Sequence, residues 1–276
     1  MKKKLIIVAV VLLVLSSTAF FIRRTGNGRD QGALELTGNI EVTEVNMAFK
    51  IPGRLADLLT DEGKAVDKGD KIATLDSNEY ASQVAQNSAN LRNAEAQFEK
   101  ARKDLGRYEV LSQNEAISSQ QFDAARTNFS IALAQLQQSS AALRTSEVRL
   151  GDTVLYAPVA GIVLKKNLEE GETVAAGVPV VTIGVMDDPW VKVYVKENKL
   201  GLVRLGQRAQ IRTDSYPDRI YEGTITNISS EAEFTPKNVQ TSEERVKLVF
   251  GVKVSVRNEN HELKPGMPAD VKILLR

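Results

Sequence analysis

The chain has no cysteine in its 276 residues. That absence excludes disulfides, thiolate metal sites, cysteine nucleophiles and a lipid-attached N-terminal Cys. Only one histidine is present, His261, in the polar run Asn258-Glu259-Asn260-His261-Glu262, which reads as a solvated turn. With one His and no Cys, most metal and triad chemistries are out, and no metal, cofactor or catalytic residue is assigned. The formal net charge is +1, so no polybasic surface argues for nucleic acid. There is no G-x-x-x-x-G-K-[ST] loop, so any ATP energy must come from a partner. Carboxylates are many, yet no pair stands out by spacing, and the chain does not read as an enzyme. Proline is missing from residues 77–151, where Gly106 is the single glycine before Gly151.

That proline-free stretch is rich in Ala, Gln, Ser and Asn and reads as two helices. In the first, Val84, Leu91, Phe98 and Leu105 recur every seven residues, each followed three places on by Asn87, Ala94, Ala101 and Tyr108. In the second, Phe122, Phe129, Leu136, Leu143 and Leu150 recur every seven, with Ala125, Ala132, Ser139 and Ser146 three places on. Sustained heptads of this kind make a coiled-coil seam. The apolar stripe is narrow, with Ile131 and Leu133 as its main additions. Folding the stretch back about residue 115 sets large side chains against small ones. Leu105 then faces Ala125, Phe98 faces Ala132, Leu91 faces Ser139, Phe129 faces Ala101 and Leu136 faces Ala94. Facing layers interdigitate in this way without voids. The expectation is an antiparallel helical hairpin, each arm projecting about 50 Å at 1.5 Å per residue.

Lys2, Lys3 and Lys4 precede an apolar run from Leu5 to Ile22. It is long enough for a transmembrane helix, and the lysines hold its start in the cytoplasm. A cleaved signal peptide competes, with small residues at Ser17-Thr18-Ala19, but Phe20-Phe21-Ile22 continues the apolar run past that point. Arg23 to Gly32 reads as a polar linker, and Leu34 to Phe49 as one or two strands.

The stretches Gly53–Asp76 and Gly161–Gly184 are one motif written twice. Gly53, Gly63, Gly69 and Leu75 recur as Gly161, Gly171, Gly177 and Ile183, and Glu62-Gly63 recurs as Glu170-Gly171. Each half predicts short strands joined by Gly-containing turns, exposing an apolar face that the other half covers. The hairpin would leave from, and return to, one small β-sandwich. From Asp187 onward, strands are expected at Trp190–Lys196, Gln207–Thr213, Arg219–Ile228, Arg245–Arg257 and Met267–Leu275. A short helix is expected within Glu197–Leu205, and a long polar loop at Ser229–Glu244. Strands at this spacing predict a small antiparallel barrel.

These residues together resemble the membrane fusion protein (HlyD-like) family of periplasmic adaptors. The resemblance is carried by Lys50-Ile-Pro-Gly-Arg-Leu55, Ala157-Pro-Val-Ala-Gly-Ile-Val163, Leu205-Gly-Gln-Arg-Ala-Gln-Ile211 and Leu263-Lys-Pro-Gly-Met-Pro-Ala269. The split glycine motif resembles the halves of a biotinyl/lipoyl-type domain. A carrier domain bears its modified Lys at the junction of the halves. Here the coiled coil takes that place, entered at Asp76-Ser77-Asn78. The loop Phe234–Thr241 resembles the branch serving ABC-type multidrug exporters.

The resemblance implies an elongated multi-domain α+β chain. Residues 1–22 would be the membrane anchor, 23–33 a linker and 34–52 strands contributing to the β-barrel. Residues 53–76 and 152–185 would form the split lipoyl-like domain, 77–151 the coiled-coil hairpin and 186–276 the barrel. It further implies a hexamer, held in the inner membrane with its bulk in the periplasm, bridging an inner-membrane exporter to a TolC-like outer-membrane duct. In many members the hairpin tip docks on the duct through Arg, a Leu four residues on and a Ser seven beyond that. Arg107, Leu111 and Ser118 stand at that spacing. Ser118 also suits the N-cap of the second helix, with Gln121 as its capping-box partner. Two other readings remain: a cell-envelope scaffold without a transport role, and a carrier subunit of a multienzyme complex.

Overall fold

A computed structural model describes residues 32–234 and 248–275. The expected membrane segment, most of its linker and the loop from Thr235 to Thr241 lie outside the described residues. Among the described residues, no helix is long and apolar enough to cross a membrane. The described residues divide into two compact units, Thr43–Met186 on one hand and residues 32–42, 187–234 and 248–275 on the other. Strands β1 (Ala33–Ala48) and β8 (Pro179–Lys196) each contribute to both. Of the stretch 34–52 assigned to the barrel, only the part up to Val42 belongs to the barrel unit.

In the Thr43–Met186 unit the repeat is realised strand for strand. The first half supplies β2 (Gly53–Leu58), β3 (Ala65–Val66) and β4 (Lys71–Leu75). The second supplies β6 (Gly161–Lys166), β7 (Thr173–Val174) and the first residues of β8. Each half pairs with the other in the same way. Gly53 and Arg54 pair with Val174 and Thr173, while Gly161 and Ile162 pair with Val66 and Ala65. The backbone bonds repeat too. Gly63 N–H donates to Val163 O at 2.8 Å, and Gly171 N–H donates to Leu55 O at 2.8 Å. The turn glycines are needed in both copies, with φ of 80° at Gly63, 91° at Gly171, 96° at Gly69 and 82° at Gly177. Only glycine adopts that region freely. The repeated glutamates cross over. Glu170 accepts from Leu58 N–H and Glu62 accepts from Lys166 N–H, each at 2.9 Å, so each half caps a strand end of the other.

Between these halves lies the apolar core expected of two faces that cover each other. Phe49, Leu55, Ile72, Val163, Val174, Val180 and Ile183 are all 1% exposed or less. The Glu62 carboxylate also neighbours Lys166, whose ammonium is held up from its ordinary pKa, first by its hydrogen bond to Glu169.

The hairpin is inserted between β4 and β5 (Val154–Tyr156), which pair antiparallel. Helix α1 spans Asn78–Gln113 and helix α2 spans Ser119–Gly151. The four buried residues of the two helices are Ala94, Ala125, Ser139 and Ser146, all small members of the heptad pattern. The large members are half-buried, as interdigitating knobs are. Phe98 and Phe129, from adjacent layers, bring their rings within 5.4 Å. Asn87 donates from Nδ2 to Ala142 O at 3.3 Å, beside Leu143, which is its counterpart when the stretch is folded about residue 115. The outward faces are polar, and Ile131 is exposed rather than widening the seam.

In the barrel unit, six strands close a ring. Their order is β1, β12 (Pro268–Leu274), β9 (Arg208–Thr213), β10 (Tyr216–Phe234), β11 (Leu248–Val256) and β8, with β8 pairing back to β1. Gly38 lets β1 approach β8 closely, because a Cβ there would meet Lys192 O at 2.1 Å. The core is aliphatic: Val191, Val193, Val195, Ile211, Val252, Val254, Leu263 and Ile273 are fully buried. One short helix, α3 (Glu197–Leu200), links β8 to β9. The polar loop expected at Ser229–Glu244 is corrected in its first part. After a bulge, β10 continues to Phe234, and Ala232, Glu233 and Phe234 pair with Phe250, Val249 and Leu248. Polar composition hid the strand because its pairing is held by backbone bonds.

Candidate docking site at the hairpin tip

The turn at the far end of the hairpin is closed by its own hydrogen bonds. Helix α1 ends in a Schellman motif, with Ala116 N–H donating to Leu111 O at 2.9 Å and Glu115 N–H to Ser112 O at 3.0 Å. The residue in the left-handed position is Glu115, at φ 53°, where glycine is usual. Helix α2 starts in a full capping box. Ser118 Oγ accepts from Gln121 N–H at 3.3 Å, and Gln121 Oε1 accepts from Ser118 N–H at 3.0 Å. Ile117 and Phe122 occupy the N′ and N4 positions of a hydrophobic staple, and both are half-buried.

The three residues that the family resemblance singles out all fall on this end. Arg107 and Leu111, four apart, share one face of α1 and flank a shallow depression over Gly106, lined also by Lys103 and Val110. Ser118 lies past the turn and is not part of that lining. The Arg107 side chain is 74% exposed and pairs with Asp104 one turn back. An exposed pair of this type contributes at most about 1 kcal/mol, so the guanidinium is cheaply released to a new partner. Its planar fork suits a carboxylate or a set of backbone carbonyls. Leu111 is 42% exposed and Val110 57%. They form an apolar spot near the tip; the hairpin's other exposed large hydrophobics, Ile131 and Val148, lie on the second helix. Val110 and Glu115 were not singled out from the sequence. The heptad count leaves Val110 off the seam, which is the one signal that it would be exposed.

Elsewhere, His261 lies on its polar turn as expected, but its Nε2 is 2.9 Å from Asp187 Oδ1. That turn is held by the buried Asn258, whose amide exchanges hydrogen bonds with the backbone of Leu263. Nearby on the barrel, Glu262 takes Arg219 and the Tyr221 hydroxyl. Loss of water around the Tyr221 phenol, and next its bond to Glu262, push its pKa up to about 12. Among the described residues no three His, Asp or Glu side chains gather as metal ligands.

A sandwich interrupted by a coiled coil, together with a six-stranded barrel, is the architecture that the family resemblance implies. Comparison with known proteins agrees. Residues 43–184 match the CzcB-like barrel-sandwich hybrid domain, and residues 189–274 match the CusB-like beta-barrel domain. The chain belongs to the membrane fusion protein (HlyD-like) family of periplasmic adaptors. A UPF0194 membrane protein of Yersinia pseudotuberculosis serotype O:3 (strain YPIII) is 31% identical over 88% of this chain and 90% of its own length. A UPF0194 membrane protein from the asrC 5′ region of Acidithiobacillus ferridurans is 33% identical over 86% of each. Among solved structures, MacA from Actinobacillus actinomycetemcomitans superposes with a TM-score of 0.73 at 20% identity, over 89% of this chain and 79% of that one. The membrane fusion protein Spr0693 from Streptococcus pneumoniae R6 gives 0.69 at 18% identity, over 88% and 99%. Both share the fold.

Proposed function

We propose that the chain is the periplasmic adaptor of a tripartite efflux or secretion system. It links an inner-membrane exporter of the ABC type to a TolC-like outer-membrane duct, and it works as a hexamer. Leu5–Ile22 anchors it in the inner membrane, with the rest in the periplasm. The chain carries no chemistry of its own; the exporter supplies the energy. The ABC assignment is supported by the resemblance of Phe234–Thr241 to that branch. The carrier reading is opposed by the hairpin between β4 and β5, which stands where a carrier domain presents its modified Lys.

The observation that carries the proposal is the tip. Arg107 and Leu111 stand exposed beside a turn closed by its own Schellman and capping-box bonds. They can bind without the hairpin refolding. Arg107 bonds carbonyls or a carboxylate on a facing helix end, and Leu111 supplies an apolar contact beside it. Ser118 presents its hydroxyl while it caps α2. In a six-fold ring each contact repeats six times, so weak contacts add through multivalency.

The test is Arg107→Asp and Ser118→Arg, scored in parallel for efflux, duct cross-linking, exporter binding and thermal stability. Efflux and duct cross-linking should be abolished while stability and exporter binding stay near wild type. Leu111→Ser should do the same, with a modest loss of stability if its side chain also closes the seam. Normal transport by all three variants would refute tip docking and favour the scaffold reading.

A further inference from the structure

The two ends of the barrel differ in a way that the adaptor reading leaves unused. Register fixes which loops share an end. Leu34 pairs with Ile273, and Ile273 with Ala209. The start of β1 therefore lies level with the start of β9, and the connection that enters β9 lies at the end where β1 begins. That connection is α3 and residues 201–207. Across the ring, Lys196 pairs with Val249, so Leu248 lies at this end as well.

Four large hydrophobic side chains of the described barrel unit are exposed: Leu202 at 49%, Leu205 at 66%, Ile220 at 48% and Leu248 at 42%. Three of the four are at this end. The connection that holds two of them is ordered by its own bonds. Val203 between them is buried in the core. Gln207 accepts from Arg204 N–H at 2.7 Å and donates to Leu202 O at 3.2 Å, and Gly206 N–H donates to Ile225 O at 2.9 Å. Leu202 and Leu205 are thus held outward rather than left on a slack loop. Around them Lys196, Lys199, Arg204 and Arg208 are exposed, and Glu197 is the single acid in residues 196–208; the acids that register adds at this end, Glu233 and Glu35, are each paired with a lysine, Lys192 and Lys272. Exposed apolar side chains ringed by basic ones suit a membrane interface, where acyl boundary and anionic headgroups meet.

We infer that this end of the barrel rests on the lipid surface. Leu202, Leu205 and Leu248 enter the headgroup–acyl boundary, and the four basic residues meet anionic headgroups. The occupant follows from the tether. Leu275 N–H donates to Gly32 O at 2.7 Å, which fixes residue 32 to this end of the barrel. Nine residues, 23–31, separate Gly32 from the apolar run ending at Ile22. Fully extended they span about 30 Å. The inference rests on Leu5–Ile22 being a membrane anchor. Given that, the leucines are kept near the bilayer at high effective concentration, and a weak surface contact suffices.

The chain has no native cysteine, so one label can be placed at will. The full chain is reconstituted in vesicles of phosphatidylethanolamine and phosphatidylglycerol, as Leu205→Cys carrying an environment-sensitive fluorophore. Asn260→Cys, on the turn at the opposite end of the barrel, is the control. The label at residue 205 should shift to the blue and be quenched by spin-labelled lipid, and the label at residue 260 should do neither. The shift should be lost when Leu202→Ser, Lys199→Gln and Arg204→Gln are added. Equal emission from the two positions, in a chain that resists carbonate extraction, overturns the inference and leaves the anchor intact. Release of the chain by carbonate overturns the anchor and the inference with it. A shift that appears only on adding the exporter assigns the surface to that protein and overturns the lipid contact.

Discussion

The sandwich and the hairpin of the Thr43–Met186 unit use their distinctive residues in opposite ways. In the sandwich, the repeated residues are consumed by the fold. The glycines hold turns that other residues resist, and Glu62 and Glu170 cap strands of the opposite half. In the hairpin, the seam is built from large apolar residues set against small ones, Ser139 and Ser146 among them, and the turn is closed by its Schellman bonds and capping box. Arg107, Val110 and Leu111 are left over. The comparison separates residues whose loss should unfold the protein from residues whose loss should disconnect it.

The two copies of the repeat give the sharpest way to break the first half of this claim. At Gly161 an added Cβ would meet Gly184 O at 2.3 Å, a backbone atom that cannot move aside. At Gly53 the nearest atom is Leu75 Cδ1 at 3.0 Å, the end of a flexible side chain. Gly161→Ala should therefore cost about 3 kcal/mol or more in chemical denaturation, and Gly53→Ala clearly less. Equal costs would show that the halves are not distinguished by backbone approach. In the hairpin, Ala94 is 3% exposed and faces Leu136 in the proposed register. Ala94→Leu should overpack and cost about 1–3 kcal/mol, with its melting shift confined to the coiled coil in hydrogen exchange. Glu170→Ala and Glu62→Ala each remove a strand cap on a solvent-facing edge. About 1 kcal/mol apiece is expected, and the two values should match because the bonds do.

The smallest effects test the tip turn and the barrel. Glu115 occupies a left-handed position at a cost of about 1 kcal/mol relative to glycine. Glu115→Gly should stabilise the chain by up to that amount and leave docking unchanged. On the barrel, Tyr221 has its pKa raised from an ordinary value near 10 to about 12. A group raised in the folded state contributes fully below its unfolded pKa and is lost as pH rises through the folded one. Barrel stability should fall between about pH 10 and 12, and Tyr221→Phe should flatten that fall in a pH series of melting curves.

Much of this architecture was legible because periodic signals act through geometry. Heptads located the hairpin, and a constant spacing of glycines located both halves of the sandwich. Other features left no such trace. Glu62 and Glu170 recur in the repeat, but their bonds run between halves and depend on a register no spacing encodes. Glu115 in a Schellman turn lacks the glycine that would have marked it. The run Ser229–Phe234 reads as loop because its pairing is backbone to backbone. The exposure of Leu202 and Leu205 depends on Val203 turning inward between them, which a run of apolar residues does not disclose. At the tip, the family resemblance picked out Arg107, Leu111 and Ser118. It missed Val110, whose exposure beside Gly106 is a property of the helix face.

The central claim is that the hairpin tip meets an outer-membrane duct. The most direct measurement is photo-cross-linking in intact cells from a probe at residue 111, with the trapped partner identified, and a second probe at the buried Val174 as control. Adducts between residue 111 and a TolC-like duct subunit are expected, and none from residue 174. Adducts with inner-membrane proteins alone, or none from residue 111 in a chain shown to be folded and anchored, would contradict it.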